Sequence, residues 1–245
     1  MSANSDRILA SMKPRFALVA LVFCLSAPAQ QPTTPLSAAS DQAAVEFNFQ
    51  WNQGIPWQSY SIQVQADGKT HFAGTPNPPQ GGDDDPVLQD FIMSEANRQK
   101  TFDLAKKLNY FRGDFDSHLK HIAQTGAKTL VYKSAQVQGS TTYNYSQNPD
   151  VQQLTQLFLG LANTLDFGRK LTFQYRFDKL GMDQLLREIE EQQASHQVEE
   201  LSAIEPILRK IANDSNLMHI TRQSAQHLLK TIDVAGAASQ TAVQP

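Results

Sequence analysis

Near Asn148 the apolar residues of this chain stop recurring at every second position and begin to recur at every third or fourth. A period of two marks a half-buried strand, and a period of 3.6 marks an amphipathic helix. The switch therefore assigns a sheet to the first half and helices to the second. Val45, Phe47, Phe49 and Trp51 fall on one strand face, and Tyr60, Ile62 and Val64 on the face of the next. Asp67-Gly68 turns the chain and residues 69–74 return it. Residues 75–86 (TPNPPQGGDDDP) combine prolines, glycines and repelling aspartates, which dictates an exposed loop. Residues 87–93 read as a short strand. Ser94 then caps a helix running to about Asn109, with Phe102, Ala105 and Leu108 inward. Residues 129–134 and 141–145 form a second hairpin, with Gln138-Gly139-Ser140 near its turn.

Asn148 or Asp150 caps the first helix of the second half, which carries Leu154, Leu157, Phe158, Leu161 and Leu165 on one stripe. Residues 171–177 (LTFQYRF) alternate like a strand but lie between helical segments, and are read as continued helix. Helices over 182–193, 198–213 and 216–232 follow. The expected class is α+β: an antiparallel sheet with packed helices over 45–147, a helical region over 148–234, and a disordered tail over 235–245.

The register of the first hairpin follows from its buried face. A two-residue Asp67-Gly68 loop would pair Gln63 with Phe72 and put Phe72 opposite the apolar face. A three-residue loop, Ala66-Asp67-Gly68, pairs Ile62 with Phe72 and Val64 with Thr70. It requires Gly68 in the left-handed conformation, as in a type I turn with a G1 bulge. One buried face selects the second arrangement.

Residues 1–29 read as a secretory signal peptide. Arg7, Lys13 and Arg15 precede an apolar run of ten residues, FALVALVFCL, and Ala27-Pro28-Ala29 supplies small residues for cleavage after Ala29. The run falls short of the roughly 20 residues that span a bilayer. Met12 opens a compact leader of its own, so translation starts at Met1 or Met12. Residues 30–44 are a flexible tether. The single cysteine, Cys24, follows the bulky Phe23, which does not suit a lipoprotein site, so no lipid anchor is expected. Its removal with the leader leaves no thiol for a disulfide or a zinc site. The whole chain carries net charge −3, and without Arg7, Lys13, Arg15 and Asp6 the balance is −5. A mild acidic excess argues against nucleic-acid binding. No membrane insertion is expected after leader removal, and the location is periplasmic or secreted.

The densest set of ligand-type side chains is Asp114, Asp116, His118 and His121, a mixture of oxygen and nitrogen donors that suits Zn²⁺ or Mn²⁺. Ser117 and Lys120 match the S-x-x-K spacing of penicillin-binding enzymes, but the companion S-D-N and K-T-G elements are absent. Asp83-Asp84-Asp85 lacks the spacing of a calcium loop. Gly126-Ala127-Lys128-Thr129 resembles the end of a phosphate loop, but His121 stands where the first glycine belongs. His219 and His227 sit roughly on one helix face, too far apart to share a ligand. G-x-S-x-G and H-E-x-x-H do not occur. Phe47, Phe49, Trp51, Trp57 and Tyr60 cluster as core, with Trp51 and Trp57 flanking Gly54-Ile55-Pro56 and open to partial exposure. No catalytic residue and no cofactor is assigned.

Residues Leu201 to Ile232 resemble a HEAT-type helical hairpin, with Pro206 in the first helix, Asp214 in the turn, and Arg222, Ala225, Leu228 and Leu229 in the second. Two antiparallel helices packed by ordinary ridges and grooves remain the alternative. The hairpin Y-x-I-x-V-x-x-D-G-x-x-x-F-x-G, Tyr60 to Gly74, resembles that of small exported bacterial domains of unknown function. The HEAT resemblance implies a protein-interaction surface. The expected function is therefore a non-enzymatic exported protein of the cell envelope, with a protein partner bound through its helical second half. The rival is a metal-binding protein or metal-dependent hydrolase using Asp114, Asp116, His118 and His121.

Overall fold

The Asp67-Gly68 hairpin adopts the three-residue loop. Ile62 faces Phe72 and Val64 faces Thr70, and Gly68 has φ +87°, a conformation that costs glycine little. Ile62, Val64 and Phe72 are fully buried, so the apolar face has set the register. This hairpin belongs to a computed structural model that describes residues 43–51, 53, 56–77 and 86–241. The leader (1–29), all but the end of the tether (30–44), Asp83-Asp84-Asp85 and residues 242–245 of the tail lie outside the described residues.

The class is α+β, as the period switch implies. Strands β1 (Ala44–Gln50), β2 (Trp57–Gln65), β3 (Lys69–Pro76), β4 (Val87–Ile92), β5 (Ala127–Lys133) and β6 (Gln138–Tyr143) form one sheet in the order β4-β3-β2-β1-β5-β6. All neighbours are antiparallel. β3 takes in Thr75 and Pro76, residues expected in the following loop, because Pro76 needs no ladder donor at a strand end. Helix α1 (Glu95–Lys107) starts at Ser94, whose hydroxyl accepts from the Asn97 amide. Its buried residues are Thr101, Leu104 and Ala105, with Leu108 at its cap, while Phe102 is only half-buried.

Helix α2 (Pro149–Phe177) is capped by the Asn148 side chain, which accepts from the amides of Asp150 and Val151. It contains residues 171–177, whose strand-like alternation is overridden by continuous helix on the N-terminal side. Its 29 residues extend about 44 Å. Helices α3 (Met182–Ala194), α4 (Glu205–Asn213) and α5 (His219–Thr241) follow. The helix expected over 198–213 starts only at Glu205, after a 3-10 turn at Leu201–Ile204. Pro206 explains this: its ring and missing N–H suit a first helical turn and break an interior one. α5 continues through residues 235–241, which were expected to be disordered; three of those seven are alanines, the strongest helix former. No helix among the described residues is long and apolar enough to cross a membrane.

Two hydrophobic clusters hold the fold. The first joins the inner sheet face to α1 and the first half of α2, around Phe47, Ile62, Phe72, Leu130 and Phe158. The second joins the rest of α2 to α3, α4 and α5, around Leu171, Leu186, Leu208 and Leu228. Glu200 ties the two together. Its carboxylate accepts from the Ser94 amide (3.1 Å), the Ser94 hydroxyl (2.7 Å) and the Asn97 side chain (2.8 Å) at the start of α1. A carboxylate there also complements the positive end of the helix dipole.

The second hairpin turns earlier than its glycine suggests. The turn lies at Ser134 and Val137, where the Ser134 amide donates to the Val137 carbonyl at 2.9 Å and the Val137 amide donates to the Ser134 hydroxyl at 3.0 Å. Gly139 sits inside β6, opposite Tyr132. A Cβ there would lie 2.2 Å from the Tyr110 carbonyl oxygen, so glycine answers a close approach. Gly139→Ala should therefore lower stability by about 1–3 kcal/mol in urea unfolding. A loss within about 0.5 kcal/mol, as for an ordinary surface change, would show that this contact is not tight.

Candidate functional site

The expected metal ligands fall on the irregular segment 112–126. His118 Nε2 lies 2.6 Å from Asp114 Oδ2, and its Nδ1 lies 3.6 Å from Asp116 Oδ1. Asp116 is occupied on both sides: Oδ1 accepts from the His118 amide at 2.7 Å and Oδ2 from the Asn144 amide at 2.7 Å. His121 stands apart and exposed. Among the described residues no three His, Cys, Asp or Glu side chains converge in a way that could hold a metal ion. His118 instead pairs with Asp114 and Asp116, one on each ring nitrogen, which makes an ion-paired loop brace. The hydrogen bond to Asp114 raises the His118 pKa, and the same bond lowers that of Asp114. Ser117 and Lys120 lie on irregular chain, which removes the one-turn helical geometry their spacing needs. His227 Nδ1 contacts Glu190 of α3 at 3.1 Å, and His219 begins α5 without sharing that contact.

A cavity lies elsewhere among the described residues. A half-open cleft of about 650 Å³ lies between one end of the sheet and the first turns of α2. That volume is within the range of small-molecule sites, about 300–1,000 Å³. Its floor can be read from strand register. Tyr60 of β2 faces Phe49 of β1, Phe49 faces Lys128 of β5, and Lys128 faces Tyr143 of β6. With strands about 5 Å apart, this row crosses about 15 Å of the inner face. Phe49 and Tyr60 stack at 5.0 Å. Trp51, Trp57, Leu159 and Tyr145 extend the apolar walls, and α2 contributes Gln152, Thr155, Gln156 and Asn163.

Two members of the floor have unusual surroundings. Lys128 is 5 % exposed on the core face of β5. Its Nζ donates to the Asn144 carbonyl (2.9 Å), the Thr125 hydroxyl (3.0 Å), the Gly126 carbonyl (3.1 Å) and the Thr125 carbonyl (3.3 Å). All four are neutral, and burial lowers the lysine pKa. The Tyr60 hydroxyl is buried with no hydrogen-bond partner, and burial raises its pKa, with the Tyr143 phenol adding to the shift. Tyr143 is satisfied by the Thr155 hydroxyl at 2.6 Å, yet burial still lifts its pKa to about 12.

Trp57, expected to be partly exposed, is 2 % exposed because its indole N–H donates to the Ala162 carbonyl of α2 at 2.9 Å. Trp51 is half-buried at the cleft wall. By sequence, Phe49, Trp51, Trp57 and Tyr60 read as core and Lys128 as part of a failed phosphate motif, while α2 residues such as Thr155 and Gln156 carry no signal of a site. One pattern marks the exception: Lys128 is in phase with the buried Leu130 and Tyr132, so β5 points a charge inward. The helical half, expected to carry a partner, exposes Phe173, Phe177 and Leu180 around the end of α2. No protein-family model matches the chain, and no curated protein sequence matches it.

The loop brace gives a pH test. By NMR, His118 should titrate above the usual value of about 6.5, and Asp114→Asn should bring it back down. The stabilisation it adds is full below about pH 6.5 and fades as pH rises through the raised value. A His118 titration unmoved by Asp114→Asn would show that the pair does not form in solution.

Proposed function

We propose that the protein is a non-enzymatic binding protein, exported to the periplasm or beyond, that holds a small apolar ligand in the cleft between its sheet and α2. The observation that carries this reading is the cleft itself: a largely aromatic floor of drug-like volume, walled on one side by side-chain amides. Among the described residues its lining includes no Asp, Glu or Cys. The imidazole at its rim, His196, is three-quarters exposed on its side chain and lies 3.4 Å from Glu199, not beside a hydroxyl nucleophile. A nucleophile activated by a positioned base needs such a pair within hydrogen-bond reach. The brace of Asp114, Asp116 and His118 supports the cleft wall rather than a metal-dependent reaction, because its carboxylates are already engaged by backbone amides and the imidazole.

N-phenyl-1-naphthylamine, a neutral apolar dye, tests the cleft. Its fluorescence should rise saturably with one site per chain, and Thr155→Phe, which places a ring in the cavity, should weaken binding at least about tenfold. Absence of saturable binding, or full affinity in a folded Thr155→Phe variant, would overturn the assignment. Export is tested separately by mass spectrometry of protein recovered from the expressing cell. The mature chain should begin at Gln30; an uncleaved leader or a lipid-modified Cys24 would overturn that part of the proposal.

A further inference from the structure

The floor of the cleft contains a positive charge with no counter-charge and a hydroxyl donor with no acceptor. Lys128 Nζ is caged by four neutral oxygens, and no carboxylate pairs with it among the described residues. The Phe49 ring, 5.9 Å from Nζ, adds a weak cation–π contact and no neutralising charge. A buried ammonium held only by dipoles is incompletely compensated for the water it has lost. Tyr60, 6 % exposed, brings the unused O–H. The cleft floor places the two on one cross-strand row, with only Phe49 between them.

Both deficits are met by one kind of group. An anionic oxygen supplies the missing charge at Lys128 and accepts from Tyr60. With no acidic residue in the described lining, nothing there repels it. A single buried cation matches a single negative charge, whereas a phosphate dianion would leave one charge uncompensated. The remaining walls are apolar, with Trp51, Trp57 and Leu159 beside the floor. Resting on the reading of the cleft as a small-molecule site, we propose that its ligand is an apolar monocarboxylate. In the proposed complex the carboxylate sits at Lys128 Nζ, the Tyr60 hydroxyl is a second donor two strands away on the same row, and the hydrocarbon body lies along the two tryptophans. A linear acyl chain and an aryl group present this same chemistry.

Trp51 and Trp57 are the only tryptophans in the chain, so intrinsic fluorescence reports on this cleft directly. Octanoate should be compared with octanamide, and 3-phenylpropanoate with 3-phenylpropanamide. At least one acid should bind about tenfold or more tighter than its amide, as expected for a charge-assisted hydrogen bond. Lys128→Met should abolish that preference, and Tyr60→Phe should reduce it severalfold. Whichever acid binds tighter identifies chain or ring as the body. Equal binding of acid and amide, or a preference that survives Lys128→Met, would overturn the carboxylate assignment. So would failure of both acids to bind while N-phenyl-1-naphthylamine still does, which leaves the apolar cleft standing. If the dye and all four compounds fail, the proposed function falls with it. The comparison of acid with amide uses the unmodified protein, so it decides the matter even if a variant does not fold.

Discussion

The fold depends on one helix being shared by two cores. The first half of α2 contributes Leu154, Leu157, Phe158 and Leu161 to the sheet cluster, and its second half contributes Phe167 and Leu171 to the helical cluster. Two contacts pin it to the sheet. Phe158 stacks on Phe47 with ring centroids 5.0 Å apart, and the Trp57 indole donates to the Ala162 carbonyl. Near the changeover the helix is buried over consecutive positions, Thr164 to Gly168, which a one-sided surface helix would not be. Asp166 is fully buried within that stretch. It is kept ionically paired by Arg169 at 2.8 Å and Lys170 at 2.7 Å, both reaching back from the next turn. The Arg169 guanidinium also lies 5.9 Å from the Trp57 ring, so the pairing that holds Asp166 borders the indole that anchors the helix.

The same shared helix accounts for the cleft. One row along the inner face, Ile62, Phe47 and Leu130 meet the apolar side of α2 and are fully buried. Two residues further along β1, the row of Tyr60, Phe49, Lys128 and Tyr143 faces Thr155, Gln156 and Gly160, which are polar or small. A helix that buried this end as it buries the other would carry large apolar residues there, and a strand serving packing alone would carry leucine at 128. Replacing a buried charge by a well-packed apolar residue is often neutral or stabilising. Lys128 therefore departs from the local rule that the rest of β5 obeys, and such departures are where function is expected in an otherwise consistent sequence.

Much of this architecture was legible in the residues. The period switch separated sheet from helices, Asn148 capped α2, and the requirement for one buried face fixed the pairing of Ile62 with Phe72. What could not be read depended on segments distant in sequence. Gly139 looked like a turn residue, but it is glycine because Tyr110 approaches it from the end of α1. Pro206 delayed α4 by a local rule that the periodicity of residues 198–213 concealed. Lys128 was hidden for a different reason. Its charge drew attention to a loop motif, while its phase with Leu130 and Tyr132 already placed it inside. The proximity of Asp114, Asp116 and His118 was legible as composition, but their use was not, because spacing along a chain does not fix where irregular backbone sends side chains.

Asn144 shows why that acidic and imidazole cluster belongs to the cleft. Its amide nitrogen donates to Asp116 Oδ2, its side-chain oxygen accepts from the Thr125 amide at 2.9 Å, and its side-chain nitrogen donates to the Ala123 carbonyl at 3.0 Å. Its own carbonyl accepts the shortest of the bonds from Lys128. Thr125 in turn supplies two more of the four oxygens around that lysine. The segment between α1 and β5 is thus folded against the end of β6 by the Asp116 carboxylate and the Ser117 amide on one side, and cages the buried ammonium on the other. The Asn144 side chain holds Thr125 directly, through the Thr125 amide and hydroxyl, in the position from which it bonds Lys128. The cluster that looked most like a metal site is therefore best understood as the scaffold that holds an incompletely compensated charge in place.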